Sequence, residues 1–251
     1  MLGKTSNDYE GEFFITSVKY EAGKRQETRE WIPRTVFNDT HLGYAVVIGN
    51  GESRKTFRHD LLKGHRGGLL GSMACQTYGC NALSREFKPD FLVATGKGMV
   101  DEIANSTEFY EIPFADENIV YSSATSCLEN PGKFHLVPNN VRMNAGCIAL
   151  YLAAFDNHKN IYMVGFDGQN GGEGYNNNLY AGTPHYNPQQ HSTSSVKWER
   201  NMCQIFGAYP DVSFTLVDNN PARYPDDFNW YKNLRKMSYR EFTSELDIGS
   251  M

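Results

Sequence analysis

The stretch that decides the fold is Tyr44-Ala45-Val46-Val47-Ile48-Gly49-Asn50-Gly51-Glu52-Ser53-Arg54. Five apolar residues in a row are the mark of a strand buried on both faces, as in a parallel sheet covered by helices. The run ends in Gly-Asn-Gly, and a helical pattern follows over about Arg54–Lys63. A strand entering a helix through two glycines brings bare backbone amides and a helix N-terminus to the strand's carboxyl end, which suits an anion such as a phosphate. Gly49, Asn50 and Gly51 are therefore candidate nucleotide contacts. Ser53 is a candidate to cap the helix or touch the phosphate, with Arg54 and Lys55 as nearby charges or solvated side chains. The third glycine of the dinucleotide fingerprint is absent, and so is the Gly-Lys-Ser/Thr of a P-loop. A tight strand–helix turn without a ligand is the other reading of these residues.

Outward from this stretch the same texture repeats. Strands are predicted at Gln76–Cys80, Phe91–Thr95, Ile119–Tyr121, Phe134–Val137, Ile161–Val164 and Val212–Val217. Helices are predicted between them, at Gly98–Asn105, Asn144–Asn157 and Thr193–Ala208, with a terminal helical region over Asn229–Leu246. The Asn144–Asn157 stretch is apolar nearly all round and should be buried, whereas Trp198, Met202, Ile205 and Phe206 line one face of the next helix. Strand–helix alternation predicts an α/β fold: a single Rossmann-like domain over 41–251 with a mainly parallel sheet. The first forty residues read differently. Phe14, Thr16, Val18 and Tyr20 alternate, Glu21-Ala22-Gly23-Lys24 carries turn chemistry, and Thr28–Phe37 runs back, which predicts a β-hairpin extension over 1–40. Such an appendage would cover part of the core or make a contact in a homo-oligomer.

Composition narrows the function classes. The chain has 251 residues, 40% of them hydrophobic, and a formal charge of -5. That is enough for one sizeable core, and it gives no electrostatic reason to expect nucleic acid or an anionic membrane as partner. Apolar runs such as Ile148 to Phe155 are too short to span a bilayer, and Met1 to Gly11 is polar and acidic rather than signal-like. Five cysteines suggest free thiols in a cytoplasmic protein; Cys75 and Cys80 have no matching pair for a zinc site.

Further candidates lie at the predicted strand ends. Asn81, after Gly79-Cys80, can offer a donor and an acceptor to a base or ribose, or simply cap a loop. Asn144 can cap its helix, with Ala145 and Gly146 leaving room for a ligand. Gly165 and Asp167 follow the strand Ile161–Val164, where ligands bind in open α/β sheets; a plain turn carboxylate is the alternative for Asp167. The aperiodic stretch 168–191 reads as a lid. Its Tyr175 and Tyr180 are candidates to meet a departing phosphate, and His185 and His191 to act as general base, with His185 favoured because Pro184 and Tyr186 flank it. Asp226-Asp227 is a weak metal candidate, and no metal site is assigned.

Taken in order, Gly49-Asn50-Gly51-Glu52-Ser53, Cys80-Asn81-Ala82-Leu83, Lys88-Pro89-Asp90-Phe91, Asn144-Ala145-Gly146 and Tyr162-Met163-Val164-Gly165-Phe166-Asp167 resemble a known superfamily. It comprises the bacterial sialyltransferases of glycosyltransferase family 42 and the DUF115 group, which holds the Maf flagellin glycosyltransferases and the MptE-like 6-hydroxymethylpterin diphosphokinases. The resemblance covers roughly Gly43 to Asp167. It implies nucleotide phosphates beside Asn50 and Gly51, the ribose beside Asn81, donor sugar or phosphate beside Asn144-Ala145-Gly146, and a pocket bordered by Gly165 and Asp167. It implies a nucleotide sugar such as a CMP-sugar as substrate, no bound cofactor and no metal, lid tyrosines on the leaving phosphate and a lid histidine on the acceptor hydroxyl. The acceptor stays open. The chain departs from the pattern at Glu52 (usually Pro), at Arg54 (usually apolar) and at Asn144-Ala145 (usually a Thr/Ser pair). Two other readings remain: a diphosphokinase-type transferase needing a metal near Asp90, Asp101 or Asp167, and a non-catalytic nucleotide-binding protein.

Overall fold

The computed structural model describes residues 13–32, 44–62, 75–167, 177–187, 195–220 and 224–248. Tyr175 and His191 lie outside them. The hairpin forms from β1 (Phe13–Glu21) and β2 (Lys24–Ile32), antiparallel and in register from Phe13↔Ile32 to Glu21↔Lys24. Its turn is Ala22-Gly23, with φ of 50° and 77°, the doubly left-handed geometry that matches the twist of the paired strands.

The main chain path then alternates. After β3 (Tyr44–Ile48) come β4 (Cys75–Cys80), β5 (Phe91–Val93), helices α1 (Lys97–Asn105) and α2 (Phe114–Glu117), β6 (Ile119–Ser122), α3 (Ala124–Glu129) and β7 (His135–Leu136). Helix α4 (Ala145–Phe155) leads to β8 (Asn160–Val164), α5 (Ser195–Ala208), β9 (Ser213–Val217), β10 (Leu234–Met237) and α6 (Tyr239–Ile248). The eight strands β3 to β10 make one sheet in the order β10-β9-β8-β3-β4-β5-β6-β7, and every neighbouring pair is parallel. The α/β architecture read from the sequence is the observed one.

Side chains alternate across the sheet and build two cores. Ala45 and Val47 join Tyr78, Phe91, Met163 and Phe214 on the face covered by α4 and α5. Val46 and Ile48 join Leu92, Val120, Val164 and Val217 on the face covered by α1, α2 and α6. Helix α4 is buried along almost its whole surface, as its apolar sequence requires.

Two expectations need correction. The stretch after Gly51 is not a continuous helix but two short 3-10 turns, Glu52–Thr56 and His59–Leu62. Phe57 between them is extended (φ -77°, ψ 128°) and drops its ring among Tyr239 and Phe242, so packing overrides the helical pattern. The terminal region is not all helical either: β10 interrupts it, pairing with β9 from Leu234↔Phe214 to Met237↔Val217. The open edge of β9 supplies a ladder that local propensity does not foresee, and Arg235 and Lys236 suit the outermost strand. Among the described residues no helix is long and apolar enough to cross a membrane.

Candidate active site at the strand-order reversal

From β3 the chain steps outward through β4, β5, β6 and β7, then returns by α4 to place β8 on the other flank of β3. The carboxyl ends of β3 and β8 therefore carry loops that part in opposite directions, which is where open α/β sheets bind ligands. These two loops hold Gly49-Asn50-Gly51 and Gly165-Phe166-Asp167, residues far apart in sequence.

They are laced together more tightly than a simple cradle would be. The Gly49 amide donates to Val164 O at 2.8 Å and the Gly51 amide to Gly165 O at 2.9 Å. A side chain at position 49 would lie 2.4 Å from that same Gly165 carbonyl, and Gly165 itself sits at φ +73°, so close backbone approach demands both glycines. The Asp167 carboxylate, 2% exposed, lies over Gly51 at the start of the first 3-10 turn. It accepts from the Ser53 amide at 2.6 Å, from the Ser53 hydroxyl and from Asn177 Nδ2 at 2.9 Å. The anion seat expected for a phosphate at Gly51 and Ser53 thus holds the protein's own carboxylate.

Asn50 is the half-buried member of the motif. Its carbonyl accepts from Leu179 N at 2.9 Å and its side-chain amide bonds the Tyr186 hydroxyl, while Oδ1 is buried without a partner among the described residues. Asn81, in the left-handed region at φ 48°, accepts from Thr95 N at 2.9 Å and so ties the end of β4 to the end of β5. Asn144 caps α4 through Cys147 N at 2.9 Å. Ala145 is buried, and a side chain at Gly146 would meet only ordinary contacts, the nearest at 3.6 Å, so no backbone strain demands that glycine.

A cavity of about 390 Å³ opens over the carboxyl ends of β5, β6 and β7, beside the cap of α4. Thr95, Ser123, Thr125 and Asn140 supply hydroxyl and amide groups, and Arg142 and Lys197 supply two exposed positive charges. No carboxylate lines it among the described residues, so its electrostatic preference is for an anion. Sequence reasoning missed both cations: one lies in a loop, the other on a helix face, and only the fold joins them.

Of the lid candidates, Tyr180 and His185 fall on the described stretch 177–187, and both are tied to the body. The Tyr180 hydroxyl, 8% exposed as a residue, accepts from Arg54 Nη2 at 2.8 Å and donates to Glu86 Oε1 at 2.5 Å. Burial raises its pKa further above the ordinary tyrosine value. Burial also pushes the Glu86 carboxyl up, but Tyr180 and Arg54 outweigh it and hold the group below its usual range. His185, at φ 67°, lays its ring against Gly98 and places Nε2 3.5 Å from Glu102 Oε2. Glu102 in turn is gripped by Arg85, Nε to Oε1 at 2.7 Å and Nη2 to Oε2 at 2.6 Å. His185 is not among the residues lining the cavity. The residue that organises this side is Arg54, 2% exposed, which the sequence offered only as a nearby charge. A cation in a slot that is apolar in the resembled superfamily was the signal. Among the described residues no group of three or more His, Cys, Asp or Glu side chains could hold a metal ion.

No family model matches the chain, and no curated protein matches it in sequence. Solved structures similar to it include the monofunctional alpha-2,3-sialyltransferase Cst-I from Campylobacter jejuni, at 13% identity over 80% of this chain and 86% of that one, with a TM-score of 0.45. The sialyltransferase CstII from Campylobacter jejuni, in complex with the substrate analogue CMP-3FNeuAc, is similar at 12% identity over 70% and 81%, with a TM-score of 0.43. At these identities the chemistry of this chain has to be argued from its own residues.

Proposed function

We propose that the chain transfers a sugar from a nucleotide-activated donor to an acceptor hydroxyl, with the nucleotide along the carboxyl edge of the sheet at Asn50 and Asn81. The observation that carries this reading is the meeting of separated motifs at the strand-order reversal, where an Asn50 oxygen lacks a partner among the described residues, with a cation-lined cavity farther along the same carboxyl edge, over β5 to β7. In this reading the donor's phosphate lies toward Arg142 and Lys197, because Asp167 already fills the seat over Gly51. The acceptor oxygen forms a bond to the anomeric carbon as the bond from that carbon to the phosphate oxygen breaks. The acceptor's proton passes to a base, and the nucleotide leaves with the bond's electron pair. Fixed positive charge and the α4 N-terminus would stabilise the phosphate as its charge grows. His185 and His191 are the proposed bases; Glu102 supports His185 by orienting its ring. Tyr175 is the proposed further hydroxyl on the leaving phosphate, since that of Tyr180 already serves Arg54 and Glu86.

The motif resemblance makes a CMP-sugar the first donor to try. Isothermal titration with CMP, UMP and GMP, followed by nucleotide release from the matching sugar donors, tests the reading. Arg142→Ala and Lys197→Ala should each weaken donor binding about tenfold, the worth of one lost charge-assisted contact. Absence of binding by every nucleotide at millimolar concentration would refute the proposal.

A further inference from the structure

Arg54 is a fully enclosed cation at the junction of four chain segments. Its Nε donates to Gly49 O at 2.6 Å, Nη1 lies 3.0 Å from His59 Nε2, and Nη2 donates to Glu86 Oε1 at 2.9 Å and to Tyr180 OH at 2.8 Å. Its stem fills the space above Gly165, where a side chain would come within 2.9 Å of Cδ. One side chain thus joins the carboxyl end of β3 to the segment 177–187 through its guanidinium and packs its stem on the end of β8.

That segment has further ties to the proposed nucleotide edge. Leu179 N donates to Asn50 O, and the Tyr186 hydroxyl meets the Asn50 side chain and lies 3.5 Å from Ala82 N. At its far end Thr183 Oγ1 and Pro184 O accept from Arg85 at 2.7 and 2.9 Å. Lifting the segment would take the Tyr180 hydroxyl from both Arg54 and Glu86. A buried guanidinium would then keep only part of its bonding, which is among the costlier losses a protein interior can suffer.

We propose that residues 177–187 are a fixed wall of the site rather than a moving cover, and that Arg54 is the positioning residue that fixes them. The wall sets where Asn50 and Tyr186 stand before any ligand arrives, so this part of the site is preformed. The functional meaning of the wall rests on the nucleotide-binding reading above; its rigidity does not.

Amide hydrogen exchange on the full chain without nucleotide tests the wall directly. Leu179 and its neighbours should exchange as slowly as the β3 amides in the unmodified protein. Tyr180→Phe, a mild change that keeps the ring, and Arg54→Leu should speed exchange across 177–187 about tenfold or more while β8 and β9 keep their rates. Arg54→Lys should not restore protection, since an ammonium lacks the fork that serves Gly49, Glu86 and Tyr180 together. CMP added to the same samples should bind the unmodified chain with no further slowing over 177–187, and Tyr180→Phe more weakly. Rapid exchange of 177–187 in the unmodified protein, slowed by CMP, would overturn the wall and restore a moving cover. Unchanged exchange in Tyr180→Phe would overturn the role of Arg54, even if Arg54→Leu fails to fold. Failure of CMP to bind at all would strike the nucleotide reading and leave the exchange result standing.

Discussion

Acid should destabilise this protein through one buried histidine. His158 is 0% exposed, with Nε2 3.0 Å from Gln76 Oε1 and 3.2 Å from the Tyr78 hydroxyl. Tyr78 donates its own proton to Asp156 Oδ2 at 2.7 Å, so both neighbours of Nε2 act as acceptors and Nε2 carries the hydrogen. Nδ1 is left bare, buried and without a partner among the described residues. A second proton would have to sit there, and burial pushes the pKa from 6.5 down to about 4. Because the unfolded chain binds this proton more readily, the contribution of neutral His158 is complete above the unfolded pKa and is lost as pH falls toward the folded one. The whole shift corresponds to about 3 kcal/mol, most of it lost by about pH 4.5. Urea unfolding at pH 7 and at pH 4.5 measures the loss, and His158→Gln, which keeps an amide donor but titrates nothing, isolates it from the carboxylates. The unmodified chain should lose about 2.5 kcal/mol more than the variant between those two pH values. Equal losses in the two proteins would refute the reasoning.

Two further outcomes follow from the same kind of packing argument. Gly51→Ala would set a carbon 2.4 Å from Asp167 Oδ1, so it should displace that carboxylate from Ser53 and cost about 2 kcal/mol. The side chain meets Asp167 before any phosphate, and an unchanged melting temperature would contradict the tight seat. Cys75, Cys80, Cys127 and Cys147 are buried and Cys203 is half-buried. Burial pushes Cys80, Cys127 and Cys147 up to about 12. A thiol reagent should therefore reach Cys203 first in the native protein and all five cysteines after denaturation without reductant. A denatured count below five would show a disulfide.

The sequence by itself determined the framework. The apolar run Tyr44–Ile48, the strands that follow it and the wholly apolar α4 each carry their burial in a local period, the hairpin carries its turn chemistry, and the structure has each of these elements. Strand ends are legible for the same reason, which puts Asn50, Asn81 and Asp167 just past strands and Asn144 at the start of α4. What those ends do was decided by tertiary structure. Ser53 meets Asp167 across 114 residues, and Arg54 meets Tyr180 across 126. Ser53 reads locally as a cap and Arg54 as a solvated charge, because periodicity records which face is buried and not which distant group will satisfy it. The strand β10 was misread on similar grounds, since its stability comes from the exposed ladder of β9 and not from its own residues. Arg142 and Lys197 share a cavity only because α4 returns the chain beneath it and α5 runs alongside. Local chemistry set the strands and their ends; hydrogen bonding across the fold decided that Asp167 sits over Gly51 and that Arg54 meets Tyr180.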